Sequence, residues 1–402
     1  MTVDDGSQLL TSPKVGPLLQ AAVAHQGGNL VEWRLEQIDA KPGRSTTATY
    51  AATVDWKFGS RQEVLGVSAR TGELAASDAN AEIFADGNRQ VAVWLYPHDP
   101  DLPGLARVAF PDGLVEVLAE AGVLSRFANP KDLRVKMISY RPRNRAVARV
   151  EAADQVFYIK VLRKQVVEGV VSRHQLLRDA GLPVPEILAA TADHLLVTKQ
   201  LPGKSLATEL FESSSPCTAE QLVALLDLLP KSITKLNRRP PWAEAVEHYA
   251  QLVARSVPAT EADLTWSVTQ IRDGLAGIAP GKEATHGDFH ESQLRVAQGR
   301  IVGLLDVDTA GPGRRADDLA CLVAHLAAIQ GMDADQDARL RQVLSRWVPV
   351  FDERVDPVEL RLRAAAVVIS LATGPYRGQE KNWKAATKAM VRGAVALIRQ
   401  AS

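Results

Sequence analysis

The stretch THGDFHESQLRVAQGRIVGLLDVDTAGPGRRADDLA, residues 285–320, decides the expected fold and chemistry of this 402-residue chain. Within it, QLRVAQGRIVGLLDVD predicts a short hairpin of two apolar strands that turn at AQGR. Asp288 precedes the hairpin, and Asp306 and Asp308 lie at its C-terminal end. Loops at strand ends commonly carry reactive side chains, so these carboxylates can divide two tasks. One accepts a proton from an attacking hydroxyl, and another holds a divalent cation.

HGDFHESQ followed by LLDVD resembles the catalytic and metal-binding loops of the aminoglycoside phosphotransferase and choline kinase superfamily. Its Gln-containing loop is most similar to the maltokinase and bacterial glucosamine kinase-like branch. The resemblance implies that Asp288 is catalytic, that Gln293, Asp306 and Asp308 are metal ligands, and that ATP and Mg²⁺ are the cofactors. Gln293 stands where Asn is usual. For Asp308, a role in stabilising the loop is an equal alternative.

Two other residues of this stretch have structural interpretations. His286 is interpreted as a hydrogen-bonding residue rather than as an acid or base. Asp318 lies in ADDLA, where a helix is predicted to begin, and is interpreted as an N-terminal cap that anchors the loop.

Lys160 is the cation inside the predicted strand QVFYIKVL, residues 155–162. A lysine buried in a strand is unfavourable unless anions neutralise it, although an edge lysine that reaches solvent is the alternative. The resemblance implies that Lys160 contacts the α- and β-phosphates of ATP and pairs with a Glu on the next helix. Glu168 is the candidate for that pairing.

Two other segments are candidates for nucleotide contacts. RPRNR, residues 141–145, occupies the place of the kinase glycine-rich loop but contains no glycine, and Arg143 and its neighbours are candidate phosphate ligands. A solvated charged turn is the alternative. VTKQLPGKSL, residues 197–206, resembles the hinge between kinase lobes, where the main chain near Thr198, Lys199 and Gln200 would contact adenine.

The residues that bind the acceptor are harder to predict. His290 and Glu291 follow Asp288 directly, and Arg377 and Trp383 lie in TGPYRGQEKNW, residues 373–383, an expected loop between two apolar helices. Planar polar and aromatic groups suit sugar recognition, but an ordinary surface loop explains the second pair equally well.

Residue patterns and the resemblance together predict an α+β chain with a protein-kinase-like two-lobe fold. A mixed α/β N-terminal cap, residues 1–125, precedes a small antiparallel-sheet N-lobe, 126–200, and a mostly helical C-lobe, 201–402. Strands are predicted at 45–56, 63–70, 90–97, 135–140, 146–152, 155–162 and 194–201, helices at 14–26, 113–123, 165–181, 215–229, 317–330 and 383–400, and turns at 71–73, 86–87 and 98–104.

Composition restricts the possible partners and location. Lys+Arg and Asp+Glu are equal at 47 each, which argues against indiscriminate binding to nucleic acid or to an acidic membrane. Cys217 and Cys321 show no metal-site or disulfide spacing and are expected to be buried thiols. No secretory signal and no membrane-spanning run is recognisable, so a cytoplasmic location is expected.

The sequence therefore predicts an ATP-dependent phosphotransferase whose acceptor is a small-molecule hydroxyl, with a sugar or amino sugar favoured. An aminoglycoside or another small alcohol is the alternative acceptor. A non-catalytic nucleotide-binding pseudokinase is the rival from another class, favoured by Gln293 and by the glycine-free loop. Retention of Lys160, Asp288 and Asp306 argues against that rival.

Overall fold

The computed structural model describes residues 5–41, 43–71, 80–86, 89–152, 154–213 and 216–401. The chain divides into two compact units. The first comprises Met1–Glu168, Ile187–Gln200 and Arg377–Gln379, and the second comprises Gly169–Glu186, Leu201–Tyr376 and Glu380–Ser402.

The first unit begins with an antiparallel sheet and short helices. Its elements are α1 (Ser7–Leu10), α2 (Gly16–His25), β1 (Asn29–Lys41), β2 (Ser45–Trp56), β3 (Gly59–Thr71), β4 (Glu82–Asp86), β5 (Arg89–Leu95), α3 (Leu105–Ala109) and α4 (Pro111–Glu120). The sheet order is β1-β2-β3-β5-β4. Ala48, Tyr50, Ala52 and Val54 of β2 are buried at every second position, the period expected of a strand with one core face.

A second antiparallel sheet follows in the same unit. Its strands are β6 (Arg134–Arg141), β7 (Arg145–Ala152), β8 (Gln155–Leu162), β9 (Ile187–Ala190) and β10 (Leu195–Lys199), and their order is β6-β7-β8-β10-β9. Phe157, Ile159 and Val161 of β8 belong to one buried cluster with Leu114 and Leu118 of α4. This burial on alternate positions leaves Lys160 on the opposite face of the central strand.

The second unit is mostly helical. Its helices are the C-terminal part of α5 (Lys164–Asp179), then α6 (Leu206–Glu212), α7 (Ala219–Asp227), α8 (Val246–Ser256), α9 (Glu261–Gly274), α10 (Arg315–Ala327), α11 (Ala334–Asp352), α12 (Pro357–Leu371), α13 (Gly374–Arg377) and α14 (Trp383–Arg399). Helix α12 packs against α10 and α14. It is buried on nearly all sides, and its buried charged residues Glu359 and Arg363 are joined by a hydrogen bond of 2.7 Å.

Short strands connect the helices of the second unit. They are β11 (Lys204–Ser205), β12 (Glu283–Thr285), β13 (Leu294–Ala297), β14 (Arg300–Leu304) and β15 (Gly311–Gly313). Strands β13 and β14 form the predicted hairpin. Gln298 and Gly299 at its turn have φ angles of 52° and 70°, the left-handed pair that a two-residue hairpin turn of type I′ requires.

Most predicted elements are confirmed. The expected strands at 45–56, 135–140, 146–152 and 155–162 agree with the structure to within one residue at each end. Strands β1, β4 and β9 are not among the predicted strands. In β1, register shifts at Leu30/Glu32 and at Leu35/Gln37 break the alternation that marks a strand. The segment 373–383, expected to be a loop, contains the short helix α13.

Some predictions remain untested by the structure. The predicted turns at 71–73 and 86–87, and the first residue of the predicted helix 215–229, lie wholly or partly outside the described residues. The three-part division at 125 and 200 also stays a prediction. Across the described ranges, no helix combines the length and apolarity that crossing a membrane requires.

Gly66 generates a prediction about the stability of the first sheet. A Cβ at this position would lie 2.2 Å from Cε2 of Trp94, which is fully buried on the neighbouring strand. Gly66→Ala should therefore lower the free energy of unfolding by about 1–3 kcal/mol, the range for overpacked cores. Thermal and denaturant unfolding measure the change.

Gly393→Ala is the matched control. Gly393 lies within α14 and a Cβ there meets nothing within 4 Å. Replacing a helical glycine by alanine should stabilise the protein by roughly 0.5–1 kcal/mol. Equal stability of the two variants would contradict the account of Gly66.

Candidate active site

The loop that carries Asp288 begins directly after β12. Strand β12 pairs with β15, and Thr285 Oγ1 donates a hydrogen bond of 2.9 Å to Gly311 O. Gly287 has a φ of 80°, and a Cβ there would lie 2.8 Å from Thr309 O. Both the left-handed backbone and the close approach require glycine. The glycine of HGD therefore has a local structural reason.

A buried carboxylate on α10 anchors this loop through hydrogen bonds. Asp318 is fully buried in α10 and accepts hydrogen bonds of 2.8 Å from the main-chain N–H groups of both His286 and Gly287. Burial raises the pKa of Asp318 to about 6, and these two hydrogen bonds oppose the rise. The predicted anchoring role fits this geometry. The predicted capping role is wrong, because the N-cap of α10 is Arg314.

His286 links the Asp288 loop to the end of the hairpin. Its Nε2 lies 2.9 Å from Leu305 O, and its Nδ1 accepts a hydrogen bond of 3.3 Å from the N–H of Asp288. These partners require a neutral ring with the proton on Nε2. Because the ring is fully buried and both nitrogens have partners, the geometry favours the structural interpretation of His286.

Arg239 is a site residue that sequence analysis missed. Its Nη1 donates a hydrogen bond of 2.8 Å to Gly287 O and lies 3.7 Å from Oδ1 of Asp288. Its guanidinium stacks on Trp242, 4.3 Å from the ring centroid. The motif RRPPW, residues 238–242, places a cation near an aromatic ring. No pattern in the sequence around it indicates contact with the Asp288 loop, which lies some fifty residues later.

The predicted metal ligands lie on adjacent segments at the base of the hairpin. Gln293 ends a short 3-10 helix, and its carbonyl accepts a hydrogen bond of 2.7 Å from Leu305 N. Asp306 follows directly, in a left-handed conformation with φ 51° and ψ 49°. A non-glycine residue with this backbone is uncommon and is often found at functional sites. Burial lowers the pKa of Arg173, and the negative charge of nearby Asp308 partly opposes this lowering.

His290 and Glu291 belong to a cluster with His325 of α10. The rings of His290 and His325 stack with centroids 4.0 Å apart, and His290 Nε2 lies 3.0 Å from Nε2 of Gln293. Burial lowers the pKa of His325 to about 4, with His290 adding to the effect. Burial opposes ionisation of Glu291, but the nearby His290, whose Nδ1 lies 3.7 Å from Oε2, leaves the pKa of Glu291 lowered.

Lys160 and the predicted hinge lie in the first unit. Lys160 is half-buried at the middle of β8, opposite Val147 on one side and Leu196 on the other. Glu168 is exposed on α5, and its pairing with Lys160 stays a prediction.

The hinge main chain takes part in the sheet. Thr198 Oγ1 donates a hydrogen bond of 3.2 Å to Tyr158 O, and Gln200 N donates one of 3.0 Å to Val156 O. Lys199, between them, is exposed at the end of β10. A role of this segment in binding adenine stays a prediction.

Arg143 is held by residues of the N-terminal region. Its main-chain N–H donates a hydrogen bond of 2.8 Å to Oδ2 of Asp99, and its guanidinium lies 5.1 Å from the ring centroid of Trp94. The φ of 56° at Arg143 shows that the RPRNR loop reaches a left-handed conformation without glycine. Tyr140 Oη donates to the same Asp99 oxygen at 2.8 Å, so one buried carboxylate shapes this loop.

The other two candidates for acceptor binding, Arg377 and Trp383, belong to different units. Arg377 belongs to the first unit, where it lines a cleft with Gln37, Asp39 and Arg141. Trp383 belongs to the second unit, at the start of α14, with its ring 4.8 Å from that of Tyr376.

Comparison with known proteins gives partial sequence matches and a fold match. A segment is 38% identical over 60 residues to an aminoglycoside 3′-phosphotransferase of Escherichia coli, covering 14% of this chain and 22% of that protein. Another is 34% identical over 116 residues to an uncharacterized protein of Deinococcus radiodurans, covering 28% of this chain and 30% of that protein. The chain thus matches less than a third of the length of either relative.

The fold is similar to that of a solved aminoglycoside phosphotransferase. A thermostable mutant of APH(4)-Ia in ternary complex with ADP and hygromycin B superposes with a TM-score of 0.50 at 13% identity, covering 70% of this chain and 97% of that chain. Its apo form gives a TM-score of 0.50 at 15% identity, with coverage of 71% and 97%. This likeness confirms the predicted α+β, protein-kinase-like fold.

The family assignment rests on the sequence profile of the phosphotransferase enzyme family, APH. The profile matches residues 143–353, more than half of the chain. The matched segment includes Lys160, Asp288, Gln293 and Asp306. This chain therefore belongs to the phosphotransferase enzyme family, as its sequence predicted.

Proposed function

We propose that the chain is an ATP-dependent kinase of small molecules that transfers the γ-phosphoryl group to a hydroxyl, with a sugar or amino sugar as the favoured acceptor. The observation that carries this proposal is the anchored loop of Asp288. Two hydrogen bonds to buried Asp318 hold the residues before it, and His286 binds its main-chain N–H. A carboxylate on such a fixed backbone suits the orientation of a reacting hydroxyl.

The chemistry assigned to Asp288 is general-base catalysis. Its carboxylate would accept a hydrogen bond from the acceptor hydroxyl and then its proton as the phosphoryl group is transferred. Phosphoryl transfer depends mainly on positioning and on neutralising charge. Arg239, 3.7 Å from Asp288 Oδ1 and bonded to Gly287 O, supplies a cation that fixes the orientation of this carboxylate.

Mg²⁺ fits the residues at the base of the hairpin. Gln293 and Asp306 offer an amide and a carboxylate oxygen, the hard donors that Mg²⁺ prefers. The hydrogen bond between Leu305 N and Gln293 O keeps the two residues on neighbouring segments. When bound, Mg²⁺ would neutralise phosphate charge, and Gln293 and Asp306 would fix its position.

Several observations support ATP as the donor. The solved APH(4)-Ia complex contains ADP. Lys160 is a half-buried cation in the central strand of the second sheet, the place where the family resemblance expects a lysine that binds the phosphates. Contacts of Thr198, Lys199 and Gln200 with adenine, and of Glu168 with Lys160, are part of the same proposal.

The acceptor class rests on resemblance. The loop HGDFHESQ, with Gln at 293, resembles that of the maltokinase and glucosamine kinase-like branch and so favours a sugar or amino sugar. The relatives named for aminoglycoside phosphorylation, one of them in complex with hygromycin B, support an acceptor with an amino-sugar ring. An aminoglycoside or another small alcohol is the alternative.

A second candidate is a pseudokinase that binds a nucleotide without transferring phosphate. The glycine-free RPRNR loop favours it, because Arg143 is engaged by Asp99 and Trp94. The two candidates differ in one outcome. The pseudokinase binds ATP but consumes none with any acceptor, whereas the kinase forms ADP in proportion to acceptor.

Asp288 provides the test of the proposed function. Wild-type protein screened for ADP release with sugars, amino sugars and aminoglycosides should show acceptor-dependent turnover. Asp288→Asn should lower this turnover at least about 100-fold, the lower range for loss of a general base, while nucleotide binding persists.

Asp273→Asn is the matched control for this test. Asp273 is an exposed residue of α9, so its substitution should leave the ADP release rate at the wild-type level. Undiminished turnover in Asp288→Asn would contradict the assignment.

Asp306 provides a test of the metal assignment. Asp306→Ala removes a carboxylate ligand and should weaken the binding of Mg²⁺-ATP at least about tenfold. Calorimetric titration at several Mg²⁺ concentrations measures this change, with Asp273→Ala as the control. An unchanged affinity for Mg²⁺-ATP would exclude Asp306 as a ligand.

A further inference from the structure

A cluster of two histidines and one glutamate lies beside the proposed magnesium ligands. His290 and Glu291 come from the loop after Asp288, and His325 comes from α10. One potential ligand atom from each lies within 4.8 Å of the other two. All three residues belong to the second unit, so the cluster is complete within it.

Glu291 brings an unsatisfied oxygen to this cluster. The residue is 7% exposed, and its Oε1 accepts a hydrogen bond of 3.2 Å from Ser292 Oγ. Its Oε2 is buried and has no hydrogen-bond partner among the described residues, with His290 Nδ1 at 3.7 Å. A buried carboxylate oxygen without a partner is unfavourable, so this atom favours a bound cation.

The two imidazoles determine which cation fits. Two nitrogens and one carboxylate oxygen suit Zn²⁺ and related transition-metal ions, whereas Mg²⁺ prefers oxygen ligands alone. A neutral imidazole nitrogen is the form that binds such an ion.

The cluster would have to contract on binding. Ligand atoms of a tetrahedral zinc ion lie roughly 3.3 Å apart, since each bond is about 2.0–2.1 Å long. The two rings are stacked with an interplanar angle of 9° and centroids 4.0 Å apart, so the lone pairs of their nitrogens lie in two nearly parallel planes. Rotation of one ring out of the stack brings the donors together, and a bound ion would therefore be seen with unstacked rings.

His290 connects this cluster to Gln293. The 3.0 Å contact joins two nitrogens, so the Gln293 amide donates and His290 Nε2 accepts. Nδ1 is the ring nitrogen nearer Glu291, and the N–H of Ser292 now lies 3.4 Å from it. An ion bound to Nδ1 would take the place of this N–H, and the ring proton would then be on Nε2. Nε2 would then donate, and only the amide oxygen of Gln293 can accept.

We propose that His290, Glu291 and His325 bind a divalent transition-metal ion of the zinc class, and that this ion withdraws the amide oxygen of Gln293 from the magnesium site. The binding site stands on the cluster alone. The effect on Gln293 rests on the proposed function, because it assumes that this oxygen is a ligand of Mg²⁺.

Binding is tested on the full-length protein without a histidine tag. Titration with Zn²⁺ by calorimetry, and with Co²⁺ by visible absorption, should show one site per chain and a tetrahedral cobalt spectrum. His325→Ala and His325→Gln should each weaken this binding at least about tenfold. The second variant covers the case in which alanine disturbs folding.

His248→Ala is the matched control, because His248 is an exposed histidine of α8. It should bind Zn²⁺ as the wild type does. Absence of binding in the wild type, or equal binding in the wild type and both His325 variants, would overturn the proposal.

The effect on Gln293 is tested by titrating Mg²⁺-ATP into protein loaded with one equivalent of Zn²⁺. The affinity for Mg²⁺-ATP should fall several-fold in the wild type and stay unchanged in His325→Gln. An equal affinity with and without Zn²⁺ would overturn the coupling. Binding of Zn²⁺ by a protein that binds no nucleotide would instead contradict the proposed function and support the site.

Discussion

The buried carboxylate of Asp318 is the interaction on which the rest of the site depends. It accepts the main-chain N–H groups of two successive residues, His286 and Gly287, and so determines the course of the chain into Asp288. Both oxygens are needed for this, and protonation would turn one of them into a donor. Because burial raises the pKa of Asp318 only to about 6, the ionised form prevails at neutral pH.

The helix that carries Asp318 gives this anchor its rigidity. Helix α10 is buried along most of its length and packs on α12, which is itself buried on nearly all sides. Close-packed interiors resist displacement, so the carboxylate is a fixed reference point. The hydrogen bond from His286 Nε2 to Leu305 O joins this anchored loop to the end of the hairpin, one residue before Asp306. One anchored loop therefore relates the proposed base to a proposed metal ligand, as preorganised catalysis requires.

Local sequence pattern predicted much of the fold and the main site residues. Strands β2, β7 and β8 bury alternate residues, and the turn AQGR has the left-handed pair that closes β13 and β14. Strand β1 was missed because its register shifts interrupt the alternation. These successes and failures follow from whether a strand keeps the two-residue period along its length.

Long-range contacts explain the site residues that pattern could not predict. Arg239 lies beside Asp288, and Asp99 shapes the loop at Arg143, through contacts between residues more than forty positions apart. Asp318 was expected to cap a helix because a helix was predicted to begin at ADDLA. The cap is Arg314, paired with Asp317 in a capping box, which leaves Asp318 one residue further along and facing His286. Tertiary packing determines the roles of these residues, and the spacing of residues along the sequence does not reveal that packing.

The most direct test is ³¹P NMR of the protein with ATP, Mg²⁺ and the acceptor panel, comparing the wild type with Asp318→Asn. Asparagine offers one acceptor oxygen where two N–H groups need one each, which disfavours the loop conformation by about 1–3 kcal/mol. The account predicts a new phosphate-ester resonance that grows with ADP in the wild type and grows at least about tenfold more slowly in the variant. Formation of ADP without any ester, or equal rates in the two proteins, would contradict it.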